Sequence, residues 1–462
     1  MSTLVLRDAE VDGGRVDVRV EGALVSTIGP PGSAPAGDIE IACRGGALLP
    51  GLHDHHLHLL AMAAVAASVD VSRDLDRTIG AAHARALPVS AIRAVNYDEV
   101  EEGPLDRWRL DSLAPGRAVR VQHRSGAAWV LSSVALEQVG ALDAEEAGIE
   151  RDGSGRPTGR LFRLDDWLHA RLPPAPPANL AAVGSRLASL GVTGVTDCTP
   201  AATVDYFESI ATAVRTGVLP LTVSSTGGPE LSEVYPPEPL RRGPVKIVIA
   251  DHALPPLDEL GAWFVRAHRA GRAVAVHCVT RAALVLALAA WQEVGSMAGD
   301  RIEHASVTPP EVMAAMADLS LAVVTQPGFI AARGDDYLRH VDAVDRPDLY
   351  RCASLLDSGV AVGGSTDAPF GPDDPWLAIR AAIDRRSQSG ARVGADVGLS
   401  AAAALNLFLT PLEHPGGPVR HVTPGAAADL CLLDVPLRTA LLDPASHHVS
   451  TTIAAGEVTF AT

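Results

Sequence analysis

The chain has 462 residues and a net charge of −17, with 47% apolar and 20% charged residues. These proportions describe a folded chain long enough for two or more structural units, and an acidic balance with no basic run excludes nucleic acid and anionic membrane surfaces as partners. The longest apolar stretches, such as 282–291, reach about half a membrane span, the start lacks the basic-then-apolar order of a signal peptide, and five scattered cysteines (43, 198, 278, 352, 431) without a CxxC pair fit a reducing cytoplasm.

Residues 4–28 alternate in character, with Val16, Val18 and Val20 on one face, around the hairpin signal Gly13-Gly14. Strands are then predicted at 48–58, 191–198, 220–225, 245–250, 273–277, 301–304, 321–326 and 361–367. Helical periodicity fills most of the gaps, as in 180–190 and 257–270. Near the far end, Asp429-Leu430-Cys431-Leu432-Leu433 and the run 449–460, turning at Gly456, predict more short strands. Eight βα units in series predict an α/β chain with a (β/α)8 TIM barrel over 50–419. The gap at about 60–180 is expected to be an insertion, rich in proline and polar turns around 150–178. Residues 1–49 and 420–462 are expected to build one small β-sandwich from both chain ends.

Of the 38 Lys and Arg residues, only Lys246 is a lysine. It sits in Pro244-Val245-Lys246-Ile247-Val248-Ile249, which reads as a buried strand. Arginine keeps its proton above about pH 12, whereas a buried lysine can lose it and react as a neutral amine. One such reaction, with carbon dioxide, gives a carbamate able to bridge two metal ions. The plain alternative is a leftover lysine in an arginine-biased chain.

Histidines gather in Pro50-Gly51-Leu52-His53-Asp54-His55-His56-Leu57-His58. Alternation on a strand puts His56 and His58 on one face as a metal pincer, and a second frame, His53 with His55, lies in the same stretch. From Lys246 to His277 is 31 residues, from His277 to His304 is 27, and from His304 to Asp367 is 63. A βαβ unit takes about 30 residues or more, so these candidates recur in phase at strand carboxyl ends, where barrel active sites lie.

The constellation resembles the amidohydrolase superfamily, in particular its family-3, YtcJ-like branch. The motifs are Pro50-Gly51-Leu52-x-Asp54-x-His56-x-His58, Gly191-Val192-Thr193-x-Val195-x-Asp197, Val245-Lys246, His277, Arg301-Ile302-Glu303-His304-Ala305, Thr325-Gln326-Pro327, Gly364-Ser365-Thr366-Asp367-Ala368-Pro369 and Thr423-Pro424-Gly425-Ala426-Ala427-Ala428-Asp429-Leu430. The segments 120–136 and 153–159 resemble the branch's insertion. The first motif selects the His56/His58 frame. Ala127 stands where the branch often has His, Val279-Thr280 where it often has Gly-Asp, and Thr366 is extra between Ser365 and Asp367.

The resemblance implies a binuclear centre in which carboxylated Lys246 bridges two ions. His56, His58 and Asp367 would hold one ion, and His277 and His304 the other. Zinc suits the imidazole-rich set, with manganese or iron as alternatives. A mononuclear centre with unmodified Lys246 is the mechanistic alternative. The implied reaction is hydrolysis of a non-peptide C–N bond (amide, formamide or cyclic amide) by metal-activated hydroxide, with Asp367 as the catalytic acid/base. The same scaffold supports heterocycle deamination and ester or lactone hydrolysis, and a barrel that has lost its chemistry would be a binding scaffold. A small-molecule substrate and a homodimer are the expected partners.

Arg124 and Arg333 are candidates to hold a substrate carboxylate in bidentate fashion, against the plain reading of structural arginines. Gln326 and Tyr337 join them as substrate contacts, with Trp129 and His123 near the pocket. Cys278 is expected to face away from the site, and Asp251 to support a ligand histidine.

Overall fold

Thr3–Val11 and Gly14–Glu21 pair antiparallel as their alternation predicts. The turn is Asp12-Gly13 rather than Gly13-Gly14, and both turn residues take left-handed backbone (φ 48° and 79°). That is the two-residue geometry matched to strand twist, and Gly14 already belongs to the second strand. A computed structural model describes residues 3–85, 91–172, 178–200 and 202–462. Part of the predicted turn-rich stretch, 173–177, lies outside the described residues.

Two compact units divide the chain: Met1–Leu59 with Leu180–Thr462, and Leu60–Asn179. In the first, the hairpin extends to a four-stranded sheet with Leu24–Gly29 and Ile39–Ala42 on its edges. A second four-stranded sheet joins Leu48–Pro50 to the C-terminal strands Leu430–Leu433, Val449–Ala454 and Glu457–Ala461. Leu4, Leu6, Val18 and Val20 share one apolar core with Leu430, Leu432 and Ile453, so the two chain ends bury each other's apolar faces.

The strand predicted at 48–58 is two strands. Leu48–Pro50 pairs with Leu430–Leu433, whereas Leu52–Leu57 pairs with Val192–Asp197. Gly51 is the break: a Cβ there would lie 2.2 Å from Thr193 Cγ2, so only glycine lets the chain cross so close. Leu52–Leu57, Val192–Asp197, Thr222–Ser225 and Arg241–Arg242 form one parallel sheet. Val245–Val248, Val274–Cys278, Arg301–His304, Ala322–Thr325 and Ala361–Gly364 form another. Gly243 N donates to Ser225 O at 2.8 Å, extending the first sheet, and Lys246 N donates to Gly227 O at 2.8 Å, linking the two sheets on one side. On the other side Asp367 N donates to His56 O (2.8 Å) and His58 N to Ala368 O (2.9 Å).

Most of these strands are followed by a helix with one apolar face. Leu257–Arg269 buries Leu260, Phe264 and Ala267, spaced four and three residues apart. Arg281–Val294 starts where Thr280 caps Ala283 N. After Thr222–Ser225 only the short 3-10 turn Pro229–Leu231 forms, because Pro236, Pro237 and Pro239 deny a helix its amide donors. Among the described residues no helix is long and apolar enough to cross a membrane.

Asp300 ties this framework together. Its buried carboxylate accepts from Val274 N, Trp291 Nε1 and Met297 N, each at 2.8 Å, and lies 3.0 Å from His268 Nε2. Asp300→Ala leaves those donors without an acceptor. The expected loss is about 3–5 kcal/mol of stability, read as a clear fall in urea midpoint. An unchanged midpoint would show that water replaces the carboxylate without cost.

The unit Leu60–Asn179 contains a six-stranded mixed sheet, ordered Ile149–Arg151, Pro157–Phe162, Ala128–Leu131, Val119–His123, Ile92–Tyr97, Val69–Asp70. It has its own cores, around Val119 and Val121 on one side and Leu131 and Leu161 on the other.

Candidate metal centre

The four candidate histidines, Lys246 and Asp367 meet at the ends of the parallel strands. The His56 and His58 rings lie 5.4 Å apart, His56 and His304 4.9 Å, and His277 and His304 4.4 Å, centroid to centroid. Lys246 Nζ is 3.4 Å from His56 Nε2. Asp367 Oδ1 is 3.2 Å from His58 Nε2 and 3.5 Å from His56 Nε2, and its Oδ2 is 4.0 Å from His304 Nδ1. One ligand atom from each of His56, His58 and Asp367 falls within 4.8 Å of the other two.

Strand parity separates the two histidine frames. His53 Nδ1 lies 2.9 Å from Thr410 O and His55 Nε2 2.9 Å from Thr410 Oγ1, away from the cluster. The last strand ends at Gly364, earlier than the predicted 361–367. Ser365–Asp367 turn instead: Thr366 bonds Asp54 through N (3.1 Å) and Oγ1 (2.5 Å), and Asp367 points at the imidazoles. His304 (φ 73°) and Asp367 (φ 55°) both hold left-handed backbone. Neither is glycine, so the fold around them sustains a strained conformation that aims two donors inward.

Burial favours the neutral form of three of these imidazoles, His56, His277 and His304. His56 is pushed down to about 3 by burial and then by the neighbouring Lys246 charge. Burial likewise drives His277 well below its ordinary value and lowers His304. Burial alone would raise Asp367, but the His58 hydrogen bond and the nearby rings outweigh it and hold the acid below the usual carboxylate range. The Asp54 carboxyl, fully enclosed, is pushed up to about 7 by burial. Neutral rings with available lone pairs beside an ionised carboxylate form a donor set that fits a divalent ion.

Glu303 has no role in the sequence reading, yet it is completely buried and its Oε2 lies 2.5 Å from His56 Nδ1. Arg301 Nε donates to its other oxygen at 2.7 Å. Opposite charges two residues apart on a buried strand are the signal that points to such a pair.

The expected substrate contacts each engage protein groups. Gln326 is engaged at both ends: Oε1 is 2.8 Å from His304 Nδ1, and Nε2 donates to Ser365 Oγ at 2.9 Å. Arg333 donates to Phe370 O and stacks over Phe329 at 4.6 Å. Tyr337 OH lies 3.0 Å from Tyr350 OH. Arg124 pairs with Asp98 at 3.1 Å within the Leu60–Asn179 unit. In that unit His123 and Trp129 line a cavity of about 290 Å³ with Tyr97, Arg160 and Phe162. Asp251, expected to support a ligand histidine, accepts instead from Thr280 Oγ1 at 2.6 Å, beside a helix start. Cys278 is buried.

An α/β framework with imidazoles, an amine and a carboxylate converging at parallel strand ends defines a class of metal-centred hydrolases. Residues 40–460 match the model of the amidohydrolase family, and the chain belongs to that family. It is 27% identical to N-substituted formamide deformylase of Arthrobacter pascens over 503 aligned positions, covering 92% of this chain and 89% of that protein. Two solved structures share the fold. One is an uncharacterized metal-dependent hydrolase of Pyrococcus horikoshii (TM-score 0.78, 19% identity, 97% of this chain and 100% of that one). The other is an uncharacterized metal-dependent hydrolase of Pyrococcus furiosus (TM-score 0.73, 21% identity, 94% and 99%).

Proposed function

We propose that this chain is a metal-dependent hydrolase of a non-peptide C–N bond in a small molecule: an amide, formamide or cyclic amide. One observation carries the proposal. His56, His58, Lys246, His277, His304 and Asp367 come from five parallel strands and the turns after them, and meet in one buried cluster. The likeness to a formamide deformylase supports N-substituted formamides as the first substrates to test.

The proposed frame is a (β/α)8 barrel with a β-sandwich from residues 1–49 and 420–462 and an insertion at about 60–180. The backbone bonds that link the two parallel sheets on both sides support closure, and the core shared by the two chain ends supports the sandwich.

His56, His58 and Asp367 would hold one ion and His277 and His304 a second, with Lys246 between them as a carbamate. Zinc is the metal such a ligand set favours. Burying an ammonium among imidazoles is electrostatically costly, and a carbamate replaces that charge with an anion that favours cations nearby. A bound ion supplies Lewis acidity and lowers the pKa of water from about 16 to about 7. Asp367 then works at its own oxygens: it takes the proton of the attacking water and returns it to the leaving nitrogen. Its Oδ1 lies 3.2 Å from His58 Nε2, which places the carboxylate beside the ion that both would hold.

Metal content decides the proposal. Protein purified with bicarbonate and without chelator is expected to carry about two ions per chain. It should hydrolyse an N-substituted formamide, stop on chelation and resume on adding zinc. No bound metal, even after zinc is supplied, would sink it.

A further inference from the structure

We infer that Glu303 and Gln326 fix the tautomers of His56 and His304 from outside the cluster, and that the charge on Glu303 makes the His56/His58/Asp367 half the tighter metal half-site. The second clause rests on the metal-centre proposal above; the first does not.

The tautomers follow from counting donors and acceptors. Arg301 is a permanent cation, and its Nε donates to Glu303 Oε1 at 2.7 Å within a fully enclosed pair. An ionised carboxylate only accepts. Glu303 Oε2 lies 2.5 Å from His56 Nδ1, so that nitrogen carries the proton. Nε2 is left with its lone pair, turned to Lys246 Nζ at 3.4 Å.

Gln326 leads to the same tautomer by another route. Ser365 Oγ donates its hydrogen to Thr325 O at 3.1 Å, so its oxygen must accept from Gln326 Nε2 at 2.9 Å. That fixes the amide orientation and turns Oε1 to His304 Nδ1 at 2.8 Å. His304 therefore also carries its proton on Nδ1 and presents Nε2.

The two outer partners differ in charge. A carboxylate partner raises the basicity of a ligating imidazole more than a neutral amide does. Glu303 is 0% exposed and His56 1%, so water screens little of the effect. The half built on His56 should therefore hold its ion more firmly than the half built on His277 and His304. Glu303 and Gln326 are positioning residues: each acts through a histidine.

The test is zinc release from the metal-loaded chain under graded chelator, with 15N-histidine spectra alongside. Wild type is expected to release zinc in two steps. Glu303→Gln should lower the tighter affinity by about 10–100-fold and leave the weaker step in place, and Gln326→Ala should weaken the other step alone. Equal affinities in wild type, or a Glu303→Gln chain that holds zinc as tightly as wild type, would overturn the ranking. If Glu303→Gln does not fold, Glu303→Asp takes its place, with the same shift expected in smaller measure. The spectra need no substitution at Glu303. His56 and His304 are expected as Nδ1–H tautomers, and a proton on Nε2 of either would overturn the tautomer assignment. No zinc in wild type would remove the metal proposal and leave the tautomers to be judged by the spectra.

Discussion

Lys246→Arg is expected to bind one ion fewer than wild type and to lose at least about 100-fold in kcat/KM. The position is 2% exposed, with Nζ 3.4 Å from His56 Nε2. Arginine keeps a permanent charge there and has no amine able to add carbon dioxide. Lys246→Ala empties the position instead. Formate, acetate or propionate should then restore part of the activity by supplying the missing carboxylate, and should do nothing for Lys246→Arg. The sequence makes a direct observation possible, because Lys246 is the only lysine. In 13C-bicarbonate the wild-type chain should show one side-chain carbamate resonance that disappears in Lys246→Arg, with any signal from the chain terminus common to both. Full metal content and full activity in Lys246→Arg would remove Lys246 from the bridging role and favour the mononuclear centre.

How much of this was legible beforehand varied with the distance over which a residue's meaning is set. Strand parity is local and offered two frames, His53/His55 and His56/His58, between which only the family motif chose. Lys246 was readable because its rarity is a property of the composition. The phase of His277 and His304 was readable because a βα unit has a typical length. Glu303 was not assigned and Gln326 was expected at the substrate rather than behind a histidine, since their partners lie 247 and 22 residues away. The break at Gly51 depends on Thr193, a contact between strands far apart in sequence. Arg241–Arg242 pairs as a strand without any apolar residue, so hydrophobic pattern could not find it. The sheet inside Leu60–Asn179 is a different case. Val119 and Val121 are buried on alternate positions of Val119–His123, a period-2 signal that was present and unused. The overrun at 361–367 arose because Ser365 and Thr366 continue the strand's small-residue pattern, while the Asp54 carboxylate turns the backbone.

Asp367→Asn should lower kcat/KM by about 10³-fold or more, since proton transfer and one metal ligand are lost together. The substitution keeps the side chain's shape. Asparagine also tolerates the left-handed backbone that Asp367 holds at φ 55°, so the turn that carries it should survive. Two causes must then be separated. If Asp367 only binds metal, excess zinc should restore activity, and the loss should be the same for every substrate. If it also delivers a proton to the leaving nitrogen, the loss should depend on that nitrogen. A formanilide whose amine leaves readily, such as the 4-nitro derivative, needs little proton assistance and should lose less than an N-alkyl formamide. The slope of log kcat against amine pKa should therefore steepen in Asp367→Asn. The carboxylate sits 3.2 Å from His58 Nε2 and is held ionised by that bond and the surrounding rings, the state from which it can first accept a proton. An unchanged slope with zinc-restored turnover would confine Asp367 to the metal and require another proton donor in the cluster.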